Sequence, residues 1–210
     1  MIPGPINIYK CPNCNVSFAH SGVTSGNTIG AVHYSDGKID APMLPPSLRV
    51  TKCNFCLQFL WFNKLTPALS LDYRTEKLGI DNYADFLSIE DYHKLISTQF
   101  FPESEEIYIR MRIMQFYNDA FRNDSKEVNL SPEVDKASIE NLRSLTVLLD
   151  PQEFRYGLLK VETLRCQGTF DDALEVLDSL PVVGDYHTKL IDQFRREILN
   201  QNKKVFKINI

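Results

Sequence analysis

The hydrophobic pattern divides the chain into an N-terminal part typical of strands and turns and a C-terminal part typical of helices. Between two β-prone runs lies Asp36-Gly37, a pair that is common in tight hairpins. Prolines then interrupt residues 42–46, and two further β-prone runs follow. We therefore predict a small antiparallel sheet. Its predicted strands are 28–34, 38–41, 49–52 and 57–62.

Apolar residues recur at helical spacing from about residue 89 onward, and capping residues indicate where the helices begin. Asp150 and Glu153 have the spacing of a capping box with proline between them, which predicts a helix start. Gly168 predicts the end of that helix, and Thr169 predicts the cap of the next. The predicted helices are 89–100, 104–121, 131–149, 150–167, 169–180 and 186–200.

Together these elements predict an α+β fold, a small antiparallel sheet followed by a bundle of helical hairpins. The expected domains are a metal-binding ribbon at 1–66, a connecting helical segment at 67–103 and a helical domain at 104–203. A polar loop is expected at 123–129. The alternating residues 204–210 predict a strand at a sheet edge or an extended tail.

Composition and charge exclude several protein classes. Apolar residues make up 43% of the chain and charged residues 24%, the balance of a folded globular protein. The net charge of -4 divides into +3 for residues 1–65 and -7 for the remainder, which argues against a nucleic-acid or membrane binder with a wholly basic surface. The chain has no long apolar run and no basic, apolar leader at its start, so we expect a cytoplasmic protein that does not enter membranes.

Four of the five cysteines form two Cys-x-x-Cys pairs, Cys11 with Cys14 and Cys53 with Cys56. Each such pair folds into a knuckle whose thiolates face one metal ion, and two pairs supply the four soft ligands of a closed tetrahedral zinc site. The 38 residues between the pairs exceed the spacing of compact ribbons. A hairpin folded back between the knuckles accounts for this length, because the entropy of loop closure grows slowly. We therefore predict a structural Zn²⁺ site.

Three alternatives to zinc remain open from the residues alone. Four cysteines also form two disulfides in an oxidising compartment, although no secretory segment is visible. A thioredoxin-like redox motif would need one Cys-x-x-Cys beside a βαβ pattern. A four-thiolate iron site uses the same ligands. His20 and His33 are further candidate ligands within the ribbon, whereas Cys166 lies in a helical pattern and is expected to be a buried core residue.

Two resemblances follow from these motifs. The paired cysteines resemble the knuckles of zinc-ribbon and rubredoxin-like domains. Residues 164–177 resemble the centre of a tetratricopeptide repeat, in which Gly168, Phe170 and Ala173 match the turn glycine, the wedged aromatic and the close-packing alanine. The whole chain is similar to bacterial proteins that join a ribbon to such helices. The resemblance implies an adaptor or scaffold protein and names no partner.

Three functions are therefore weighed. The first is a non-catalytic adaptor that binds another protein or a peptide on its helical hairpins. The second is nucleic-acid binding through the basic ribbon and its aromatic residues. The third is an enzyme with a site at the junction of ribbon and helices that uses His93 or His187, although no familiar catalytic motif is present. The sequence leaves the oligomeric state open.

Overall fold

The computed structural model describes residues 1–73, 81–98, 100–122 and 132–209. The chain forms two compact units. The ribbon unit consists of Met1–Ala31 and Asp40–Asp91, and the helical unit consists of Val32–Ile39 and Tyr92–Ile210. The chain therefore leaves the ribbon unit for eight residues, returns to it, and then continues into the helices.

The ribbon unit contains two antiparallel sheets. In the first, β1 (Ile2–Lys10) lies between β2 (Ser17–Ser25) and β7 (Leu69–Leu71). The second pairs β5 (Val50–Lys52) with β6 (Phe59–Trp61), and a short 3-10 helix, Phe62–Lys64, follows. The predicted strands at 49–52 and 57–62 are thus present, the second in shortened form.

The two longest strands, β1 and β2, were not predicted from the sequence. Pro3, Gly4 and Pro5 favour a turn over a strand. For this reason the apolar alternation that follows them did not lead to a strand prediction. In the structure the pairing with β2 is irregular between Ile2 and Ile6, and β7 pairs only with residues 6–8. The prolines therefore lie in the irregular half of β1, which does not pair with β7. A backbone nitrogen without a hydrogen is tolerated there, because no regular ladder needs its N–H.

The predicted hairpin around Asp36-Gly37 is present but short. β3 (Val32–His33) pairs with β4 (Ile39–Asp40), so the prediction of a strand over 28–34 was wrong for its first four residues. Gly37 has a φ of 76° and donates its N–H to the Tyr34 carbonyl at 3.0 Å. A residue with a side chain is strained at such a positive φ, which explains the glycine.

In the described part of the chain, six helices follow in the order predicted, and the α+β fold is confirmed. From α2 onward each helix packs on the next one in the chain. The predicted loop at 123–129 and the predicted cap at Ser131 lie outside the described residues. The helices are α1 (Ile89–Thr98), α2 (Glu103–Asp119), α3 (Pro132–Leu148), α4 (Phe154–Gln167), α5 (Phe170–Ser179) and α6 (Gly184–Leu199).

One helix start was predicted wrongly. The carboxylate of Asp150 accepts the N–H of Gln152 at 2.9 Å in a local turn, so α4 begins only at Phe154. The start of α5 at Phe170 after the N-cap residue Thr169 is confirmed, but the Thr169 hydroxyl donates to the Leu164 carbonyl at 3.0 Å and makes no capping hydrogen bond to α5. The predicted stop at Gly168 is confirmed, since this residue has a φ of 85°.

The C-terminal residues pair with the hairpin of the helical unit. Ile208 donates its N–H to the His33 carbonyl at 2.8 Å, and Ser35 donates to the Phe206 carbonyl at 3.0 Å. Of the two arrangements expected for this segment, the structure thus has an extended strand-like segment at the edge of the hairpin, which forms a bridge between Tyr34 and Lys207.

Within the described ranges, every helix is too short or too polar to cross a bilayer.

Candidate metal centre

The two Cys-x-x-Cys loops of the ribbon unit have the same backbone geometry. In both loops the first cysteine donates its N–H to the carbonyl five residues later, at 2.9 Å. Its own carbonyl accepts the N–H four residues later, at 2.9 Å in the first loop and 3.0 Å in the second. The residue after the second cysteine is left-handed in each, with a φ of 60° at Asn15 and 61° at Leu57. Each loop is therefore a knuckle carried by an antiparallel strand pair, the first by β1 and β2 and the second by β5 and β6.

The knuckles bring the four predicted ligands together. The Cys11 and Cys56 sulfurs are 3.6 Å apart, the Cys14 and Cys53 sulfurs are 3.7 Å apart, and all four lie within 4.8 Å of one another. Four sulfurs placed at about 2.3 Å from one tetrahedral ion would be separated by about 3.8 Å. The cysteines are free thiols, because a disulfide needs sulfurs at about 2.05 Å. The cluster can therefore hold one metal ion.

The sulfurs differ in their electrostatic surroundings. A hydrogen bond from Asn13, and next the backbone at Gln58, lowers the pKa of Cys56 to about 6. The N–H of Val16 acts on Cys14 in the same direction, but burial and the neighbouring thiols outweigh it and raise the pKa of Cys14 to about 12. One thiolate in the cluster thus opposes ionisation of the next, and a bound cation removes that repulsion.

The metal cluster lies against a small aromatic core. Cys11 and Cys53 are buried, while Cys14 and Cys56 are half-buried. Tyr9, Phe18 and Phe62 pack beside the cysteines with ring centroids 5.3 to 6.4 Å apart. A core of this size contributes little stability, and an ion bound by the four cysteines would add to it.

The other candidate ligands lie elsewhere. His20 packs its ring on Phe62 at 4.6 Å between centroids, and burial lowers its pKa. His33 belongs to β3 in the helical unit. Among the described residues, the cluster of metal-ligating groups therefore consists of the four cysteines.

The residues expected for an enzyme are committed to other contacts. His93 Nε2 lies 2.9 Å from the Tyr117 hydroxyl. His187 stacks on Phe154 and accepts the N–H of Val183 at its Nδ1 atom.

The thiol of Cys166 lies 3.6 Å from Glu162, and burial, followed by the charge of Glu162, raises its pKa well above 9.

A second polar cluster, inside the helical unit, was missed by the sequence analysis. The Ser35 hydroxyl donates to Glu162 at 2.7 Å, and the guanidinium of Arg165 binds both oxygens of the same carboxylate at 2.8 Å. Beside them Asp36, fully buried, forms an ion pair with Arg122. Desolvation acts to lower the pKa of Arg165, but the charge of Glu162 outweighs it and raises that pKa, so the guanidinium stays charged.

These charged residues hold the hairpin in place. The Arg165 guanidinium also donates to the Asn202 carbonyl and lies 5.0 Å from the Phe206 ring, so one side chain links α4 to the C-terminal segment. Asp36 further accepts a hydrogen bond from Asn118 at 2.9 Å. The only sequence indication was the pairing of Glu162 with Arg165 at a spacing of three in an otherwise apolar helical pattern.

Four thiolates complete a tetrahedral ligand set, so a metal bound there has no open position for water or substrate. The centre can therefore organise structure but cannot activate a water molecule. Comparison with known proteins gave no match to a family model, to a curated protein or to a solved structure.

Proposed function

We propose that this chain is a non-catalytic adaptor with a structural zinc ion, in which the second knuckle binds an apolar surface of a partner protein. The observation that carries the proposal is the exposure of two large apolar side chains on that knuckle. Phe55 is 67% exposed and Leu57 is 55% exposed. Both are held in a loop whose shape the metal ligands Cys53 and Cys56 fix.

The first knuckle serves as an internal control for this interpretation. It has the same hydrogen bonds and the same left-handed residue, but it carries Asn13 where the second carries Phe55, and Asn15 where the second carries Leu57. The knuckle fold therefore does not require apolar side chains at these positions. Exposed apolar groups that a fold does not need favour a binding role.

Zinc is the ion we propose for the centre. The sulfur spacing fits its bond length, and its tetrahedral preference suits four thiolates. Iron fits the same ligands, and elemental analysis of the purified protein together with its visible absorption distinguishes the two. Because free thiols are needed, we propose that the protein works in a reducing compartment such as the cytoplasm.

The helical unit supports the adaptor role in a different way than the sequence predicted. Its helices pack in chain order, Ala173 is fully buried and Phe170 packs on the core, which favours a tetratricopeptide-like arrangement. However, the hairpin 32–39 and the segment 205–209 bind α2, α4 and α6. The chain thus occupies with its own residues a surface where a peptide was expected, and this moves the proposed docking site to the second knuckle.

Charge argues against nucleic acid as the partner. The basic balance of residues 1–65 disappears in the compact unit, because Met1–Ala31 with Asp40–Asp91 contains 6 basic and 7 acidic residues. Lys52, next to the second knuckle, is also paired with Asp91 at 2.6 Å. A surface that binds phosphates needs an excess of unpaired cations.

The test compares protein captured by the full chain and by the double variant Phe55→Asn with Leu57→Asn. This variant gives the second knuckle the residues of the first, so zinc content and circular dichroism should not change. Quantitative mass spectrometry should show one or more proteins that are enriched on the wild type and lost on the variant. As a matched control, Asn13→Ala with Asn15→Gly should retain them.

Two outcomes contradict the proposal. Equal capture by the wild type and the double variant would show that the exposed knuckle binds nothing. Capture that disappears after nuclease treatment, and that weakens steeply with added salt, would identify nucleic acid as the partner instead.

A further inference from the structure

The helical unit contains an apolar cavity that the adaptor role does not use. It lies between the hairpin, α2, α4, α6 and the C-terminal segment, and its volume is about 280 Å³. Leu159, Leu190 and Phe194 are buried core residues that border it, so it reaches the centre of the unit. The other apolar side chains of its wall are Met111, Phe154, Leu158 and Ile208.

The size of this cavity is that of a binding site for a small molecule. An engineered apolar cavity of roughly 150 Å³ stays dry and binds benzene. A space of about 280 Å³ is large enough for a bicyclic ring system. The cavity is partly open to solvent, which gives a ligand a way in.

Two aromatic rings give the wall a flat shape. The rings of Phe154 and His187 are stacked with centroids 3.6 Å apart and planes at 2°, and both residues border the cavity. Tyr156 and Tyr186 also border it, and Tyr186 is 58% exposed. Flat aromatic surfaces favour a planar ligand, which packs on them by stacking or by edge contacts.

Basic side chains border the cavity. Arg155, His33 and His187 border the cavity, and the lining contains no acidic residue. Among the described residues, Arg155 has no carboxylate partner. His187 accepts a backbone N–H at Nδ1, so the neutral ring carries its proton at Nε2 and remains a donor there. Cationic and donor groups around an apolar space fit a ligand with an anionic end.

From these observations we infer that the helical unit binds a small planar aromatic carboxylate. Its ring system fills the apolar cavity, and its carboxylate meets Arg155 and the donor groups of His33 and His187. The site shares no residue with the second knuckle, so it stands or falls independently of the proposed adaptor role.

Titration of the full-length, metal-loaded protein with two probes of equal shape tests this inference. The probes are 2-naphthoate and its neutral counterpart 2-naphthamide, and isothermal calorimetry measures binding. The expected result is at least tenfold tighter binding of 2-naphthoate. Arg155→Gln should remove that difference by weakening 2-naphthoate alone. Arg143→Gln, on the exposed surface of α3, should change neither affinity.

A second variant fixes the location of the site. Leu158→Trp places a larger side chain into the cavity from a half-buried position and should abolish binding of both probes while the helical circular dichroism is retained. Equal affinity of the two probes would overturn the anionic part of the inference. Undetectable binding at millimolar probe concentrations, or unchanged binding to a folded Leu158→Trp protein, would overturn the site itself.

Discussion

The ribbon unit and the helical unit stabilise their folds by different means. The ribbon unit has a small aromatic core beside four cysteines, which lie close enough together to bind one metal ion. Among the described residues, the helical unit has two larger apolar clusters and contains buried ion pairs. The two units should therefore respond to different perturbations, even though they belong to one continuous chain.

The buried charges of the helical unit and the cysteine cluster of the ribbon unit have one property in common. Each brings distant parts of the sequence together. The cysteines join residues 11–14 to 53–56, and Arg165 with Glu162 joins α4 to the hairpin and to the C-terminal segment. Removal of either centre should therefore loosen one unit and spare the other.

Metal removal should produce the largest effect. Structural zinc contributes roughly 10–16 kcal/mol to the folding of small zinc peptides, far more than a core of this size supplies. After chelation, or in Cys53→Ser, amide exchange should become fast in β1, β2, β5 and β6 while α4 to α6 remain protected. Hydrogen exchange with mass spectrometry measures both units in one sample.

Cys166→Ser is the matched control for this experiment, because it removes the cysteine that lies outside the metal cluster. It should leave the zinc content and the exchange of the ribbon strands unchanged. Protected β1 and β2 in metal-free protein would show that the aromatic core suffices without an ion.

The next largest effect is expected at Arg165. The side chains of Arg165 and Glu162 are both fully buried, so Arg165→Met leaves a carboxylate without its cation. Loss of one partner of a buried pair costs about 3–5 kcal/mol. Urea unfolding followed by circular dichroism should show this loss in the helical transition. Arg195→Met, which breaks an exposed pair with Asp178, should cost less than about 1 kcal/mol.

A double variant provides a second test of the buried pair formed by Glu162 and Arg165. Replacing Glu162 by Gln in the Arg165→Met background removes the uncompensated charge and should recover part of the lost stability. If the single variants Arg165→Met and Arg195→Met cost the same, the buried pair contributes no more than a surface pair and the comparison between the units fails.

How much of this molecule could be predicted depends on how local the determining interactions are. The clustering of the four cysteines was predicted because each knuckle is encoded by adjacent residues, and Gly37 and Gly168 were predicted because a positive φ has a strong preference for glycine. In contrast, β1 and β2 depend on an irregular pairing that places the prolines away from β7.

The placement of the hairpin could not be predicted for a related reason. Nothing in the sequence near Ser35 and Asp36 indicates that their partners are Glu162 and Arg122, which lie 127 and 86 residues away. A buried acid is recognisable from sequence only through its partner, and a partner at this separation leaves no spacing pattern. The charge division at residue 65 was misleading because the ribbon unit extends to Asp91 and includes further acidic residues.

Exchange of one residue between the knuckles should change the free energy of unfolding of the ribbon unit by about 1–2 kcal/mol. Leu57 adopts a left-handed conformation that asparagine tolerates better, as Asn15 shows at the equivalent position. Leu57→Asn should therefore raise the midpoint of thermal unfolding of the ribbon unit, and Asn15→Leu should lower it. A decrease in both variants would show that the Leu57 side chain makes a stabilising contact that outweighs its backbone strain.

The smallest effect is expected from the thiol of Cys166. Burial and the charge of Glu162 raise its pKa well above the ordinary value of 9. Because the folded-state pKa lies above the unfolded one, the neutral thiol stabilises the helical unit below pH 9, and this contribution is lost as the pH rises further. Stability should thus decline less above pH 9 in Cys166→Ala than in the wild type. Parallel decline in both proteins would contradict the shift.

Residues 32–39 belong to the helical unit, and this limits how the protein can be divided into fragments. A cut near residue 66, where the sequence indicates a domain boundary, would produce a C-terminal fragment without Ser35 and Asp36. Glu162 would lose the hydrogen bond that the Ser35 hydroxyl donates, and Arg122 would lose its ion pair with the buried carboxylate of Asp36. No single cleavage of the backbone yields both units intact. Recombination, fusion and expression of parts of this protein are therefore constrained by eight residues that belong in sequence to one unit and in structure to the other.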